Sequence, residues 1–366
     1  MQRQSINVYL KYQLTKNLSV DQNIFLSKEE IQRKMQQHRL ELINDNIDFI
    51  SSRYELLRSN LADGPSTIRT EIDPYIEECK TKEQLELFKM CRYYWSSPYS
   101  NHVGRRMEVI VRDRAVSNHP IIGIGALGSP VMHIPTRDKY IGWDKNNRYK
   151  KLIYTASLYV CGAMPPYNDL LGGKLMAYIM SSSKVLDMYK AKYSVLSPRR
   201  HNSINQLACI FTSGLFGRSS QYNRLAYDGK KLFIPIGYTE GYGTMFLDER
   251  CFFAMRLLVT KFGKMPKDFS SNQKIQLVRS SCRILGINPD LCLKSASTRR
   301  SLYLVPLATN YLSFLCGKVS TLKESIINTE SIISFWKRRW YFQRKEYVKN
   351  KKYLINQFNP DKFKFF

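Results

Sequence analysis

The sequence predicts an α/β fold: a mixed, mostly antiparallel sheet with one helical region before it and another after it. Three observations lead there. Apolar side chains recur at helical spacing through the first hundred residues, the pattern switches to alternation after Pro98, and helical spacing returns from Asp248 onward. These switches divide the chain into 1–97, 98–247 and 248–366, the last ending in a basic tail interleaved with aromatic residues.

Ser27 to Glu30 has the form of a capping box. After it, Ile43, Ile47, Ile50, Tyr54, Leu57 and Leu61 succeed one another in alternating steps of four and three, which predicts one long helix ending before Asp63-Gly64-Pro65. Six acidic and six basic residues between Lys28 and Asn60 balance, so this helix suits packing or partner binding better than DNA reading. Its stripe fits either the chain's own body or the seam of a homodimer. Thr81 to Gln84 opens a second, shorter helix running into Arg92-Tyr93-Tyr94-Trp95.

Beyond Pro98, Arg106 to Arg112 and Ile121 to Ala126 alternate as strands and are expected to pair as a hairpin. Ala156 to Cys161 forms a third strand, and a helix begins at Lys174 and reaches about Tyr189. Gln206 to Phe211 and Lys231 to Ile236 are further strands separated by a polar, partly helical segment. From Asp248 on, helices are expected over 249–262, 272–285, about 300–316 and 331–356.

The charge is uneven along the chain. Of 57 Lys and Arg and 30 Asp and Glu, residues 1–100 carry 14 of each, leaving 43 basic against 16 acidic residues in 101–366. Such a surplus raises the local concentration of polyanions, so nucleic acid, with DNA and RNA both open, is the expected partner. With 43% apolar and 13% aromatic residues the chain has ample material for a core, which excludes a disordered basic tail protein. No apolar run long enough to span a membrane and no signal-peptide pattern at Met1 to Val20 is present, so a cytoplasmic protein without membrane association is expected. Eight scattered cysteines without a Cys-x-x-Cys pair, and five histidines of which no two lie within four residues, point to reduced thiols and no metal site.

Three segments could carry chemistry. Gly172-Gly173-Lys174 sits between a strand and a helix, where unpaired amides and the helix dipole can hold an anion; the alternative is that the glycines serve close helix packing. Arg218, Ser219, Ser220, Tyr222, Asn223 and Arg224 combine phosphate-binding guanidiniums with a ring for base stacking and a base-edge amide. A second polar loop holding Tyr238, Thr239, Glu240 and Tyr242 lies across one strand from it and is expected to share its edge of the sheet. In the tail, Lys337, Arg338 and Arg339 lead ten basic residues between Ser334 and Phe366, while Trp336, Trp340 and Tyr347 share a helical face suited to core contact. Glu108, Asp113, Asp138 and Glu240 are the carboxylates a metal-dependent nuclease would need, but they form no ligand cluster in sequence.

At these same residues the sequence resembles the DruA family of the Druantia anti-phage defence systems, over about Arg92 to Gly317. The marks are Val103-Gly104-Arg105-Arg106, Ile141-Gly142-Trp143, Leu171-Gly172-Gly173-Lys174, Phe216-Gly217-Arg218-Ser219-Ser220, Gly237 to Thr244, and Arg300-Ser301-Leu302-Tyr303 with Asn310. The resemblance implies a cytoplasmic role in defence against phage beside partner subunits that include a helicase. It implies no particular chemistry.

The order of strands, Gly turn and helix is also similar to that of GNAT acyltransferases and the related Mom-type DNA modification proteins. That similarity implies a GNAT-like sheet order and, as an alternative function, nucleobase modification or acyl transfer with acyl-CoA. In that family the turn reads Arg or Gln, two residues, Gly, any residue, then Gly or Ala; here the matching positions are Asp169, Gly172 and Lys174.

Overall fold

The computed structural model describes residues 2–15, 27–95, 102, 104–194, 206–215, 217–239, 247–265, 273–295, 299–350 and 354–365. Its strands are β1 (Pro74–Glu78), β2 (Arg106–Asp113), β3 (Ile121–Gly128), β4 (Thr155–Ala163), β5 (Cys209–Gly214), β6 (Ala226–Tyr227), β7 (Lys230–Lys231), β8 (Ile234–Tyr238) and β9 (Ser301–Pro306). Seven of them form one sheet in the order β1-β2-β3-β4-β5-β9-β8, while β6 and β7 make a separate two-residue hairpin. Every neighbouring pair in the large sheet is antiparallel except β4 with β5. The fold is therefore α/β, with a mixed and mostly antiparallel sheet and helices from both ends of the chain.

Both faces of the sheet are covered. On one, Val109, Val111 and Ile122 join the buried side chains of helices Gly172–Ile179, Ser183–Ser194 and Thr329–Trp336. On the other, Ile110, Ile124 and Val160 meet Ile43, Ile50, Leu57, Phe88 and the C-terminal Phe363 and Phe365. Adjacent β2 residues thus serve opposite layers, as strand alternation requires. Gly123 and Gly125 of β3 let the helix Gly172–Ile179 lie close against the sheet: a Cβ at Gly125 would stand 2.2 Å from Met180 Sδ, and one at Gly123 only 2.8 Å from Met176 Cγ.

The structure corrects several expectations. The sheet takes β1 from the region before residue 98 and β9 from the region after 247, so neither flank is wholly helical. Where a helix is expected over 300–316, Ser301–Pro306 is a strand between β5 and β8, and only Tyr311–Leu315 is helical. Ser301 to Val305 are all buried, and a short continuous apolar run carries no periodicity that separates a buried strand from a helix.

The long first helix is broken into Lys28–Asp45, Ile47–Ser52 and Tyr54–Ser59. At the first break the Asn46 side-chain amide donates to the Leu42 carbonyl at 2.9 Å. The breaks let Ile43, Ile50 and Leu57 stay on the core while Ile47 is 40% exposed. The helix expected from Lys174 to Tyr189 likewise stops at Ile179 and restarts at Ser183, because the Ser181 and Ser182 hydroxyls donate back to helix carbonyls and Ser182 also bonds Thr329 across 2.9 Å.

In the tail, Trp336 and Tyr341 are fully buried, but a π-helical turn over Lys337–Tyr341 shifts the phase of the helix Phe342–Asn350 behind it. Val348 is buried in place of Tyr347, which is 41% exposed, so the shared face expected for Trp336, Trp340 and Tyr347 does not persist. Helices Gln2–Thr15, Glu249–Phe262, Gln273–Leu285 and Pro289–Ser295 pack around a cluster of their own that includes Leu10, Phe252, Met255, Val278 and Leu293. No helix among the described residues is long and apolar enough to cross a membrane. All eight cysteines are free thiols, and six are buried.

One titratable group couples this packing to pH. The His102 imidazole stacks on Tyr159 at 4.1 Å, and its Nε2 is buried with no hydrogen-bond partner among the described residues. Burial, helped by the Arg106 charge, pulls its pKa below the ordinary value. The unfolded chain therefore binds a proton more readily, and the stability contributed by neutral His102 is present above the ordinary imidazole pKa and is lost as pH falls below it. Urea midpoints measured from about pH 7 down to about pH 5 should decline in the parent protein and decline less in His102→Phe.

Candidate functional site

The site forms where β5, β9 and β8 leave the sheet. After β5 the chain turns at Gly217, whose φ of +57° is left-handed, and there it bridges to Arg300 at the start of β9. Tyr303 of β9 then pins the polar segment twice: its hydroxyl accepts from the Ser219 amide at 2.9 Å and donates to Asn223 Oδ1 at 2.8 Å. Tyr222 points inward, its ring packed almost parallel to Phe233 at 4.9 Å and beside Tyr303 at 5.3 Å. Only 6% exposed, it anchors the loop and is not placed to stack on a base, which corrects the role expected for it. Burial pushes its phenol well above the ordinary value.

Pinning the inner residues leaves the outer ones turned to solvent. Arg218, Ser220 and Arg224 are exposed, and neither arginine pairs with a carboxylate among the described residues. They stand between two adjoining hollows. The first, about 540 Å³, is lined by Arg218, Asn223 and Arg224 together with Lys231, Tyr238 and Tyr303. The second, about 570 Å³, is lined by the same Arg218, Asn223 and Arg224 together with Leu171, Lys174 and Trp340. Among the described residues no Asp or Glu lines either.

The Gly turn thus joins the arginine segment in space. Lys174 Nζ donates to the Ser220 carbonyl at 2.7 Å and lies 4.7 Å from the Trp340 ring. Burial, and then the Arg224 charge, lower its pKa. The turn itself is occupied by its own contacts. The Gly172 amide donates to the Tyr167 carbonyl at 2.8 Å, the Lys174 amide donates to Leu171 at 3.0 Å, and a Cβ on Gly172 would sit 2.7 Å from that Tyr167 oxygen. Gln221 caps the Gly173 carbonyl at 2.9 Å. Gly172 thus serves close packing, whereas a Cβ on Gly173 would meet nothing nearer than Gln221 at 3.8 Å, and Lys174 enters the hollow by its side chain.

Tyr238 lines the first hollow with the Arg299 guanidinium 4.5 Å from its ring, and Thr239 is tied to Arg300 by two hydrogen bonds of 2.8 and 3.1 Å. Glu240 and Tyr242 lie outside the described residues. In the tail, Lys337 pairs with Glu71 at 2.8 Å, Lys345 donates to Thr70 at 2.7 Å and Arg344 donates to Asp169 at 2.7 Å, so these cations dock the tail on the body. Arg338 and Arg339 are exposed, and Arg339 lies 4.9 Å from the Trp340 ring at the second hollow.

Lys231, Tyr303, Leu171 and Trp340 were not anticipated at the site. For Lys231 a signal existed: Asp228-Gly229, both with positive φ, is the two-residue turn of the β6–β7 hairpin that carries it.

A model of the family described as Druantia protein DruA matches residues 26–317. The chain belongs to the DruA family. The Druantia protein DruA of Escherichia coli (strain UMEA 4076-1) is 32% identical over 329 residues, which cover 87% of this chain and 80% of that protein. No solved structure matches the chain significantly. The DruA match begins well before Arg92, where the motif-bearing stretch starts, and so takes in the broken N-terminal helices.

Several DruA-family marks are scaffold. Arg105 clamps the start of β4 through the carbonyls of Ile153 and Thr155 at 3.3 and 3.2 Å. Trp143 Nε1 donates to Leu315 at 2.8 Å, and Asn310 bonds both Thr321 and Lys323. Two of the four carboxylates are similarly committed: Asp113 accepts from Tyr167 at 2.8 Å and from the amides of Asp73 and Ala115, while Asp138 pairs with Arg137 and Arg148. Among the described residues no group of three or more His, Cys, Asp or Glu is placed to hold a metal ion.

Proposed function

We propose that this member of the DruA family is a cytoplasmic, nucleic-acid-binding component of the Druantia anti-phage defence system, which grips DNA at the paired hollows and works beside other subunits, a helicase among them. One observation carries the reading: among the described residues Arg218 and Arg224 have no carboxylate partner, and they converge with Lys174 and Lys231 on a concave surface lined by no described Asp or Glu. Four cations with no counter-charge among the described residues attract a polyanion, and phosphate is the group that forked guanidiniums hold best. The basic surplus of residues 101–366 supports the same partner at longer range.

Titrating labelled DNA against the full chain at several salt concentrations tests this. Affinity should fall steeply and linearly on a log–log plot, by several counterions released. Absence of binding at low salt, or binding indifferent to salt, would sink the reading. The second reading, a GNAT- or Mom-like transferase, draws on the β4–turn–helix arrangement and has the spent amides of the Gly172 turn against it. A rise in melting temperature with acetyl-CoA would favour it.

A further inference from the structure

We infer that the two hollows are consecutive nucleoside seats for a single strand, with the phosphate between them held by Arg218 and Arg224. The inference rests on the nucleic-acid reading and narrows it to one form of the polymer. Its starting point is that the hollows share their wall: Arg218, Asn223 and Arg224 line both. A cationic ridge between two depressions has the order of a dinucleotide step, in which base, phosphate and base succeed one another.

Each depression offers what a base needs. Their volumes, about 540 and 570 Å³, fall within the roughly 300–1,000 Å³ of sites that bury small ligands. The second presents the apolar surfaces of Leu171 and Trp340; the first presents Tyr238, Pro235 and the Tyr303 edge. Flat side chains beside a cationic track are the elements by which proteins hold unpaired strands, because every base has a face to stack.

A duplex cannot use this arrangement. Its bases are stacked inside and its outer surface is convex, so it would touch the arginine ridge with phosphates and leave both depressions empty unless a base were flipped out. The ridge and floor are also fixed in advance. Tyr303 holds Ser219 and Asn223, Tyr222 is locked between Phe233 and Tyr303, and Lys174 is bonded to Ser220 beside Trp340. Arg299 on the Tyr238 ring and Arg339 beside Trp340 are both exposed and add positive charge at the rim of each seat.

The test uses the full chain and three labelled probes of equal length at one moderate salt concentration: oligothymidylate, the same backbone with abasic sugars, and a blunt duplex. Oligothymidylate should bind about tenfold or more tighter than the abasic strand, which carries the same charge, and tighter than the duplex. Tyr238→Ala should weaken oligothymidylate about tenfold and leave the abasic strand within about twofold. Trp340→Leu, checked for an unchanged melting temperature, should do the same. Equal binding of oligothymidylate and abasic strand, or a duplex bound best, would overturn the two-seat inference while leaving nucleic-acid binding intact. Failure of all three probes to bind would remove both.

Discussion

The double variant Arg218→Ala/Arg224→Ala should bind nucleic acid on the order of a hundredfold more weakly than the parent protein at moderate salt, if each charge-assisted contact contributes about 1.5 kcal/mol. The same variant should show a salt dependence shallower by roughly 1.4–1.8 counterions, about 0.7–0.9 for each phosphate no longer neutralised. Its melting temperature should hardly move, since both side chains are exposed and the loop that carries them is held from inside by Tyr222 and Tyr303. The competing account has Arg218 pairing with Asp228 or Glu240 to fix the loop. Arg218 makes no ion pair with Asp228, and Glu240 lies outside the described residues, so the measurement has to decide between them. A clear fall in melting temperature with an unchanged salt slope would show that these arginines are structural.

A second large effect is expected far from that ridge. Arg137 is fully buried; its guanidinium bonds Asp138 Oδ1 through Nε at 2.9 Å and Nη2 at 2.7 Å, and donates to the carbonyls of Val131 at 2.6 Å and Met132 at 3.1 Å. It also lies over the rings of Trp143 and Phe211 at 5.3 and 5.6 Å. Burial lowers its pKa, and Asp138 works against that shift by stabilising the charged form. Removing the guanidinium leaves the buried Asp138 Oδ1 and two part-buried carbonyls short of donors. Arg137→Ala should therefore lose about 3–5 kcal/mol of unfolding free energy. Arg148 still reaches Asp138 Oδ2 at 2.9 Å, which limits the damage to the lower part of that range. Arg137→Lys restores the charge but not the fork, and should recover less than half of the loss. Chemical denaturation of the three proteins measures this, and a loss under about 1 kcal/mol for the alanine variant would mean the network is dispensable.

The two variants separate the uses of arginine in this chain. Arg105, Arg112 and Arg137 spend their donors on carbonyls and carboxylates of the body. Arg218 and Arg224 have no carboxylate partner among the described residues and border the hollows. Composition cannot make this distinction, because a count of basic residues treats both kinds alike.

Much of the architecture was legible along the chain because it depends on short-range pattern. Alternation in 106–112, followed after a turn-rich connection by the short apolar run 121–126, was enough to place β2 beside β3, and the capping boxes at Ser27 and Thr81 mark real helix starts. The polar segment 218–224 was legible as a candidate site from its arginines, and the structure sets it beside Lys174 and Tyr238. What the pattern could not supply was β9. Ser301 to Val305 are buried on both faces, and a run without polar alternation has no period to read.

The missing strand had consequences for the site. Tyr303 comes from β9, and with it come the bonds that turn Tyr222 inward and hold Asn223 at the ridge. On sequence alone Tyr222 and Tyr238 look equivalent, each an aromatic among polar and small residues. Only the packing of Phe233 and Tyr303 against one of them decides that the first is an anchor and the second lines a hollow.

The sequence by itself determined the α/β class, the helix starts, the β2–β3 pairing and the concentration of positive charge after residue 100, since each rests on residue type and on spacing within a few turns. The tertiary structure alone decided which cations are spent on the body, which ring is buried, and that Leu171, Lys174, Arg218, Arg224, Lys231 and Trp340, scattered over 170 residues of chain, bound one pair of hollows. The physical reason is that spacing governs contacts along a single element, whereas a concave surface is made by elements that meet only when the sheet and its flanking helices close.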